Sequence, residues 1–341
     1  MTALLATLAA LAAPMLRLEW IAADQINGAR SLWLLALIAV GGSVAAAQGE
    51  WWLAAMATWF LWSWRSDEHS EAAWTWVGIA ATWYLARAVP SWGWEYVLAG
   101  WQAAACLCVA CALDDWWVGQ RVHAWLGQRT FVGAFLALVM ALSSPWTWPV
   151  YGVGLWLSGP SWLAVVALAA ASVVRWPWTG ALWVALVGVA VLGIRLRGGK
   201  RVGWVERWTP RGDSLDSLWM RTRGVALAWR WCTRSRIGWV GTRGLFGGYG
   251  VGVRLRSYTL RAGWPTMDSF HCEPVQHAVE YGWLGAVAVL AFAWRVGAGV
   301  QFGEPWSAAA VCGAVLASGT IFCRVGPVGL MWLVICAAVA R

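Results

Sequence analysis

Charged residues are scarce in this chain. Only 12% of its 341 residues are Asp, Glu, Lys or Arg, while 60% are hydrophobic. Soluble domains carry roughly 25% charged residues and about half apolar ones. A chain this apolar cannot cover a water-facing surface with polar groups, so lipid must be its solvent. The composition excludes an ordinary soluble protein and predicts an integral membrane protein.

Lysine is almost absent, since Lys200 is the only one and the other 24 basic residues are arginine. The formal net charge of +9 would suggest a nucleic-acid partner in a soluble protein. In a membrane protein, basic loops set the topology or meet anionic headgroups, so we expect membrane lipids and no nucleic acid as partners. The 34 tryptophans partly fit this setting, because Trp favours membrane interfaces, although several stand inside apolar runs.

A disulfide or metal framework is also lacking, although the chain has eight cysteines. The spacing Cys106-x-Cys-x2-Cys111 resembles that of a metal site, but the surrounding residues are typical of a membrane helix. Cysteine in such a place behaves as a small hydrophobic residue, so we expect structural packing and no metal. The cysteines in apolar stretches are Cys106, Cys108, Cys111, Cys312, Cys323 and Cys336.

The hydrophobic runs predict an all-α polytopic membrane protein with about ten or eleven transmembrane helices, since a spanning helix needs about 20 mainly apolar residues. The stretch 145–175 is apolar but contains three prolines, so it predicts either one bent span or two short ones. The N-terminal run lacks a basic start and is followed by further spans, which favours a retained helix over a signal peptide. The clear runs are 31–47, 71–89, 94–113, 130–148, 177–195, 282–299 and 305–323, and the shorter ones are 2–16, 50–64 and 327–340.

The apolar runs stop between Arg195 and Tyr281, where 15 of the 25 basic residues collect. We therefore divide the chain into an N-terminal helix bundle (1–195), a large extramembrane loop (196–281) and C-terminal transmembrane helices (282–341). So much arginine would place a short loop in the cytoplasm. Loops longer than roughly 60 residues, however, cross the membrane largely regardless of charge. On these grounds alone the side of the loop stays open.

An amphipathic helix is predicted within the loop. Asp213 or Ser214 can cap its start, and Asp216 lies in the first turn, where an acid suits the helix dipole. Arg221 projects away from the apolar face, and Arg223 lies at its edge. Such a helix lies either on the bilayer, with its arginines meeting lipid phosphate, or on the helix bundle. Its apolar face has helical spacing and consists of Leu215, Leu218, Trp219, Thr222, Ala226 and Trp229.

A glycine-rich stretch follows this helix. Five glycines stand in the nine residues from Gly244 to Gly252, and glycine lets a backbone turn tightly and bring its N–H groups close to an oxyanion. The spacing is not that of a nucleotide-binding fingerprint. The stretch predicts either an anion-binding turn, supported by Arg254 and Arg256, or a flexible linker.

The sharpest functional pattern runs from Phe270 to Gly285. His271 ends the polar loop, and Glu280, Gly282 and Gly285 follow it at +9, +11 and +14, at the mouth of the span that begins near Gly282. This H-x8-E-x-G-x2-G spacing, leading into an apolar helix, resembles the signature of O-antigen ligases and the related O-antigen polymerases.

Other features agree with this resemblance, which covers about residues 213–341. Trp219 and the following Gly247-Gly-Tyr-Gly250 look like the family's tryptophan helix and glycine turn. The segment 318–324 looks like its short polar break before a last helix. Two positions depart from the family pattern: Cys272 stands where Asn is usual, and Leu215 stands where Arg is common.

The resemblance implies a membrane glycosyltransferase of the bacterial inner membrane, with the large loop outside the cytoplasm. In the family, a glycan on undecaprenyl pyrophosphate passes to a hydroxyl of a sugar or lipid acceptor. His271 would be the base for that hydroxyl, because imidazole is poised for this near neutral pH, and Glu280 would orient it or accept a sugar hydroxyl. Arginine would hold the charge of the leaving pyrophosphate through paired N–H donors, with no metal or other cofactor. The implied substrate-binding residues are Arg211, Arg221, Arg223, Gly248, Gly250 and Arg254.

Three other readings stay open from the residues alone. A transporter or channel would be expected to carry ionisable residues deep within its spans, whereas Arg87, Arg175 and Arg295 lie near span ends. An inactive or accessory membrane subunit of the same fold is suggested by Leu215 and by the short chain. A different membrane glycosyltransferase, acting on another lipid-linked donor, is the third. His277 and Glu280 share a helical face, but two ligands make a weak metal site.

Overall fold

The computed structural model describes Trp83, Ala86, Arg87 and the ranges 93–119, 129–158, 162–182, 184–185, 215–234, 251–262, 270, 272–319 and 326–341. These residues are mostly helical, and none of them lies in a strand. The described part of the chain is therefore all-α, as predicted. The predicted spans at 2–16, 31–47 and 50–64, and most of those at 71–89 and 177–195, lie outside these residues.

Nine α-helices lie in the described part of the chain. We number them in chain order. Their bounds are α1 Gly93–Trp117, α2 Arg129–Leu142, α3 Trp148–Leu157, α4 Trp162–Arg175, α5 Leu215–Arg234, α6 Val251–Arg261, α7 Glu273–Gly297, α8 Pro305–Gly319 and α9 Gly326–Val339.

Two of the three prolines in the stretch 145–175 stand at helix starts, and Pro160 lies outside the described residues. Pro145 begins a short 3₁₀ turn, and Pro149 lies in the first turn of α3, where the missing N–H of proline removes no helical hydrogen bond. The described part of this stretch contains two helices, α3 and α4. Whether they form one bent span or two short ones stays a prediction.

Helix α8 lies at the centre of the main core and packs against α4, α2 and α9. Its start is well defined: Pro305 is the first helical residue, and the carboxylate of Glu304 accepts a hydrogen bond of 2.7 Å from the Ser307 N–H, which is the usual bond of a helix N-cap. Small residues line its buried sides. At Gly313 an added Cβ would lie 2.0 Å from the ring of Trp332, so α8 and α9 approach closely only because that residue is glycine.

Backbone and arginine hydrogen bonds define one end of this bundle. The Gly303 N–H donates to the Val174 carbonyl at 2.8 Å, which joins the end of α4 to the connection before α8. The Arg175 guanidinium donates to the carbonyls of Ala141 and Ser143 at the end of α2, satisfying carbonyls that a helix end leaves without partners. The ends of α2 and α4 therefore lie beside the start of α8.

The last residue of the chain joins the same end. Arg341 donates to the Ala86 carbonyl at 2.8 Å and lies 4.7 Å over the ring of Trp94, and Trp94 contacts Trp306 with ring centroids 4.8 Å apart. The starts of α1 and α8 thus meet the end of α9. Because successive helices of the bundle run in opposite directions, the ends of α1 and α8 lie at the other end.

A second, smaller hydrophobic cluster joins α5 and α6 to the first part of α7. Helix α7 continues from there into the main core, where Phe292 and Val296 pack. It connects the two clusters and passes through a kink at Gly282.

Helix α1 is long and apolar enough to cross a membrane by length and composition, with 25 residues. Among the described residues, shorter apolar helices occupy 131–142, 163–175, 285–297 and 305–319. At a rise of about 1.5 Å per residue, α1 extends about 37 Å, which exceeds the roughly 30 Å of a hydrocarbon core.

Candidate functional site

A buried polar network lies at the start of α7, beside the position of the predicted base. The Gln276 side chain accepts a hydrogen bond from the Phe270 N–H at 3.0 Å and donates one to the Glu280 carboxylate at 2.8 Å. Gln276 and Glu280 are only 3% and 5% exposed. Buried polar groups are costly unless hydrogen-bonded, so this network fixes the backbone before His271 relative to Glu280.

Local sequence explains why α7 begins where it does. Cys272 is extended at the N-cap position, Pro274 lies in the first turn, and the Gln276 N–H makes an early helical bond to the Cys272 carbonyl at 2.9 Å. Gln276 and Glu280 are four residues apart, and side chains at that spacing lie on one face of a helix. The helix therefore brings the amide and the carboxylate together without help from a distant part of the chain.

The first motif glycine is a kink in α7. Gly282 has φ 72° and ψ −163°, a region that is essentially restricted to glycine. The helix consequently changes direction two residues after Glu280. The motif needs glycine here for a backbone reason, whatever the chemistry of the site.

The second motif glycine lies where the kinked backbone is tight. A Cβ at Gly285 would lie 2.6 Å from the Cβ of Tyr281 and 2.8 Å from the His277 carbonyl oxygen. Real Cβ atoms do not approach other atoms this closely. Gly285 therefore permits the kink at Gly282 to close.

The ring of Phe270, the residue before His271, packs between helices. Phe270 is fully buried and contacts Trp231 of α5 edge-on, with ring centroids 5.8 Å apart. Trp231 also contacts Tyr258 of α6 at 6.3 Å. Cys232 of α5 lies with its sulfur 3.8 Å from the Ala278 carbonyl, and burial raises the pKa of its thiol. Three helices thus hold the residue that precedes the predicted base.

Helix α5 corresponds to the amphipathic helix expected in the loop, but its opposite face is the one packed on protein. Ala226 and Trp229, on the apolar face read from the sequence, are exposed, and Trp229 is 63% exposed. The helix carries apolar residues on two sides, so helical periodicity alone was compatible with burial of either side. Contacts with Phe270, Val279 and Leu255 select the buried side, which consists of Gly224, Leu227, Ala228, Trp231 and Cys232.

The predicted site residues are described to different extents. His271, Arg211, Gly248 and Gly250 lie outside the described residues. Arg221 and Arg254 lie on α5 and α6, and Arg223 lies exposed on α5. Of the predicted site residues, Glu280 is the one placed in the buried network.

Among the residues that the structure describes, no three His, Cys, Asp or Glu side chains are grouped so that they could hold a metal ion. His277 instead lies beside the ring of Tyr281, with centroids 5.7 Å apart. Cys108 is buried, Cys111 half-buried and Cys106 exposed, and none of the three is in a disulfide.

Gln276 is the functional candidate that sequence reasoning missed. It has no place in the motif, and the one available signal was its spacing of four residues before Glu280. Phe270 and Trp231 were missed because their contact joins residues 39 positions apart, which periodicity within one helix cannot reveal.

No family model and no curated protein matches this chain. Function is therefore inferred from the motif and from the geometry around it. That geometry combines a buried carboxylate, an amide that links it to the backbone before His271, and a kink that marks the entry into the bundle.

Proposed function

We propose that this chain is a polytopic integral membrane protein that transfers a glycan from a lipid pyrophosphate donor, of the undecaprenyl type, to a hydroxyl of a sugar or lipid acceptor. This is the activity of the O-antigen ligases and polymerases that its motif resembles. The observation that carries the proposal is the buried Gln276–Glu280 network, which ties the motif's acidic residue to the backbone beside its histidine.

The membrane placement is supported by composition and by the packing of apolar helices. The chain is 60% hydrophobic, and α1 is long enough to cross a bilayer. Large apolar side chains also point outward from the bundle, among them Leu290 and Trp294, which are 68% and 80% exposed. In water such positions would be unfavourable, whereas lipid tails cover them. We place the protein in the bacterial inner membrane, with the loop outside the cytoplasm.

The proposed reaction transfers one proton and one glycosyl group. His271 takes the proton of the acceptor hydroxyl, whose oxygen attacks the anomeric carbon of the donor. The bond from that carbon to the pyrophosphate oxygen breaks, and undecaprenyl pyrophosphate leaves with the negative charge. Arg211, Arg221 or Arg223 holds that charge, since a guanidinium binds phosphate through two parallel N–H groups. Glu280 orients His271 or accepts a hydroxyl of the sugar.

The second candidate function is an accessory subunit that keeps the fold without catalysis. It is favoured by Leu215, which begins α5 at the position where the resembling family commonly has arginine. A leucine cannot bind pyrophosphate. Under this hypothesis the purified chain transfers no glycan from any lipid pyrophosphate donor, whereas the transferase hypothesis requires transfer.

Replacement of His271 tests the proposed chemistry. Loss of general-base assistance typically lowers a rate by about 10²- to 10⁴-fold, so His271→Ala should transfer glycan that much more slowly while remaining folded. The measurement is transfer from a lipid pyrophosphate-linked glycan by the purified protein in nanodiscs, with folding checked by size exclusion and thermal unfolding.

His277→Ala is the matched control, because His277 lies six residues further along, beside Tyr281, and is not part of the motif. It should keep most of the parental rate. Near-parental transfer by His271→Ala together with loss in His277→Ala would show that the base is the other histidine. An active parent in which neither change matters would exclude both His271 and His277 as the base.

A further inference from the structure

An apolar stripe runs along the outer surface of α7. Trp283, Val287, Leu290 and Trp294 are exposed and are spaced at i, i+4, i+7 and i+11. A helix turns about 100° per residue, so this spacing puts all four on one side. If the bundle lies in a bilayer, this stripe faces lipid from the kink at Gly282 to the far end of the bundle.

The exposed face of α5 adjoins the loop-side end of that stripe. Trp229 contacts Trp283 edge-on, with ring centroids 6.2 Å apart and the planes at 84°. Val225 and Ala226, one turn earlier in α5, are exposed as well. The opposite side of α5 is packed on Phe270 and Val279. The outward side of the helix is therefore continuous with the surface that lipid covers.

The charges around this face suit an anionic lipid surface. Arg223 and Arg230 are exposed on α5, on either side of the Val225–Trp229 segment in sequence. The segment 195–281 carries 15 basic and six acidic residues. Tryptophan rings and basic side chains together are typical of helices that lie in the headgroup layer of a membrane.

We propose that the outward face of α5, made of Val225, Ala226 and Trp229 and flanked by Arg223 and Arg230, lies in the headgroup layer of the bilayer on the loop side, against anionic phospholipid. The inference rests on the membrane placement proposed above and is independent of glycan transfer. Its consequence is positional. Because α5 also packs against Phe270, the membrane surface sets the height of the backbone that immediately precedes His271.

Photolabelling of the full chain tests this placement. The protein is reconstituted in nanodiscs containing phosphatidylglycerol with a diazirine at the top of its acyl chain, irradiated, and mapped by peptide mass spectrometry. We expect adducts on Trp229 and its exposed neighbours and none on the buried Leu227 and Trp231. The stripe residue Leu290 is the internal control. Because it lies about 10 Å further along α7 than Trp283, it is read with a second phosphatidylglycerol in the same nanodisc whose diazirine stands at the end of the acyl chain.

A change of lipid and a variant test the role of charge. In nanodiscs of phosphatidylcholine with the same two diazirines, adducts on Trp229 should fall several-fold while those on Leu290 stay constant. Arg230→Gln in the anionic nanodisc should have the same selective effect. Equal labelling of Trp229 in both lipids and in the variant would contradict the anionic-lipid assignment.

Two other outcomes overturn the inference in distinguishable ways. Labelling of Leu290 without any adduct between 215 and 234 would leave the membrane placement intact and remove α5 from the lipid. A dimer seen by native mass spectrometry, with Trp229 unlabelled, would assign the face to a second copy. Absence of adducts on both Trp229 and Leu290 would overturn the membrane placement together with this inference.

Discussion

At the scale of single residues, the region around the predicted base is organised by one amide. The amide oxygen of Gln276 accepts from the Phe270 N–H, and its amide nitrogen donates to the Glu280 carboxylate. The motif residues are therefore supported by a residue outside the motif. An amide is suited to this position because its oxygen accepts while its nitrogen donates.

We predict that Gln276→Leu lowers the stability of the folded protein by about 1–3 kcal/mol, the cost of leaving a buried polar group without its partner. Leucine has a similar size, so the change removes two hydrogen bonds with little change in volume. Thermal or denaturant unfolding in detergent measures the difference.

Gln301→Leu is the matched control for this variant, because the Gln301 side chain is exposed in the connection between α7 and α8. It should unfold like the parent. If Gln276→Leu is also as stable as the parent, the two hydrogen bonds contribute nothing and Gln276 does not fix the position of Phe270.

At the scale of elements, α7 carries the transition from the loop cluster to the main bundle. Its first part packs with α5 and α6, and its second part packs with the main core. The kink at Gly282 gives the two parts different directions, so one continuous straight helix could not make both sets of contacts. The two motif glycines that follow Glu280, Gly282 and Gly285, are thus explained by the backbone of this kink.

We predict that Gly282→Ala destabilises the protein by about 1–3 kcal/mol, since a side chain is strained in this backbone region. Within the same helix, Gly297→Ala should be neutral or slightly stabilising, because a Cβ there meets open space and alanine favours the helix by up to about 1 kcal/mol. Unfolding of both variants under one set of conditions provides the comparison. Equal stability of the two would mean that α7 tolerates a regular helix at Gly282.

At the scale of the whole molecule, the alternating helices give the bundle two distinct ends. The starts of α1 and α8 and the ends of α2, α4 and α9 meet at one end. The ends of α1 and α8 lie at the other, together with the kink of α7 and the helices packed before it. The proposed chemistry requires the second end to lie outside the cytoplasm.

We predict that cysteine introduced at Val118 is labelled by a membrane-impermeant maleimide in intact cells, and that cysteine at Gln301 is labelled only after lysis. Val118 follows α1 and Gln301 precedes α8, and both are exposed. The parent chain under the same conditions gives the background from its native cysteines. Labelling in the reverse order would place the loop in the cytoplasm and contradict a ligase-like function, whereas labelling of both from one side would contradict the alternation.

The amino-acid sequence by itself determined the all-α class, the helices at 94–113, 305–323 and 327–340 to within a few residues of α1, α8 and α9, and the presence of a helix in the loop. Each of these depends on local properties, namely apolar run length, proline position and helical periodicity. The motif spacing was equally visible in sequence, although its chemical role remains a prediction.

Only the tertiary structure decided which face of α5 is buried, that the stretch 145–175 forms two helices, and that Gln276 joins Phe270 to Glu280. The physical reason is the same for the helix face and the clamped ring. A helix with apolar residues on two sides has no preferred side until a partner covers one, and the partners of α5 at Phe270, Val279 and Leu255 are distant in sequence. Periodicity shows which faces of a helix are apolar enough to be buried. Which of them is buried depends on the surfaces that the rest of the chain packs against it.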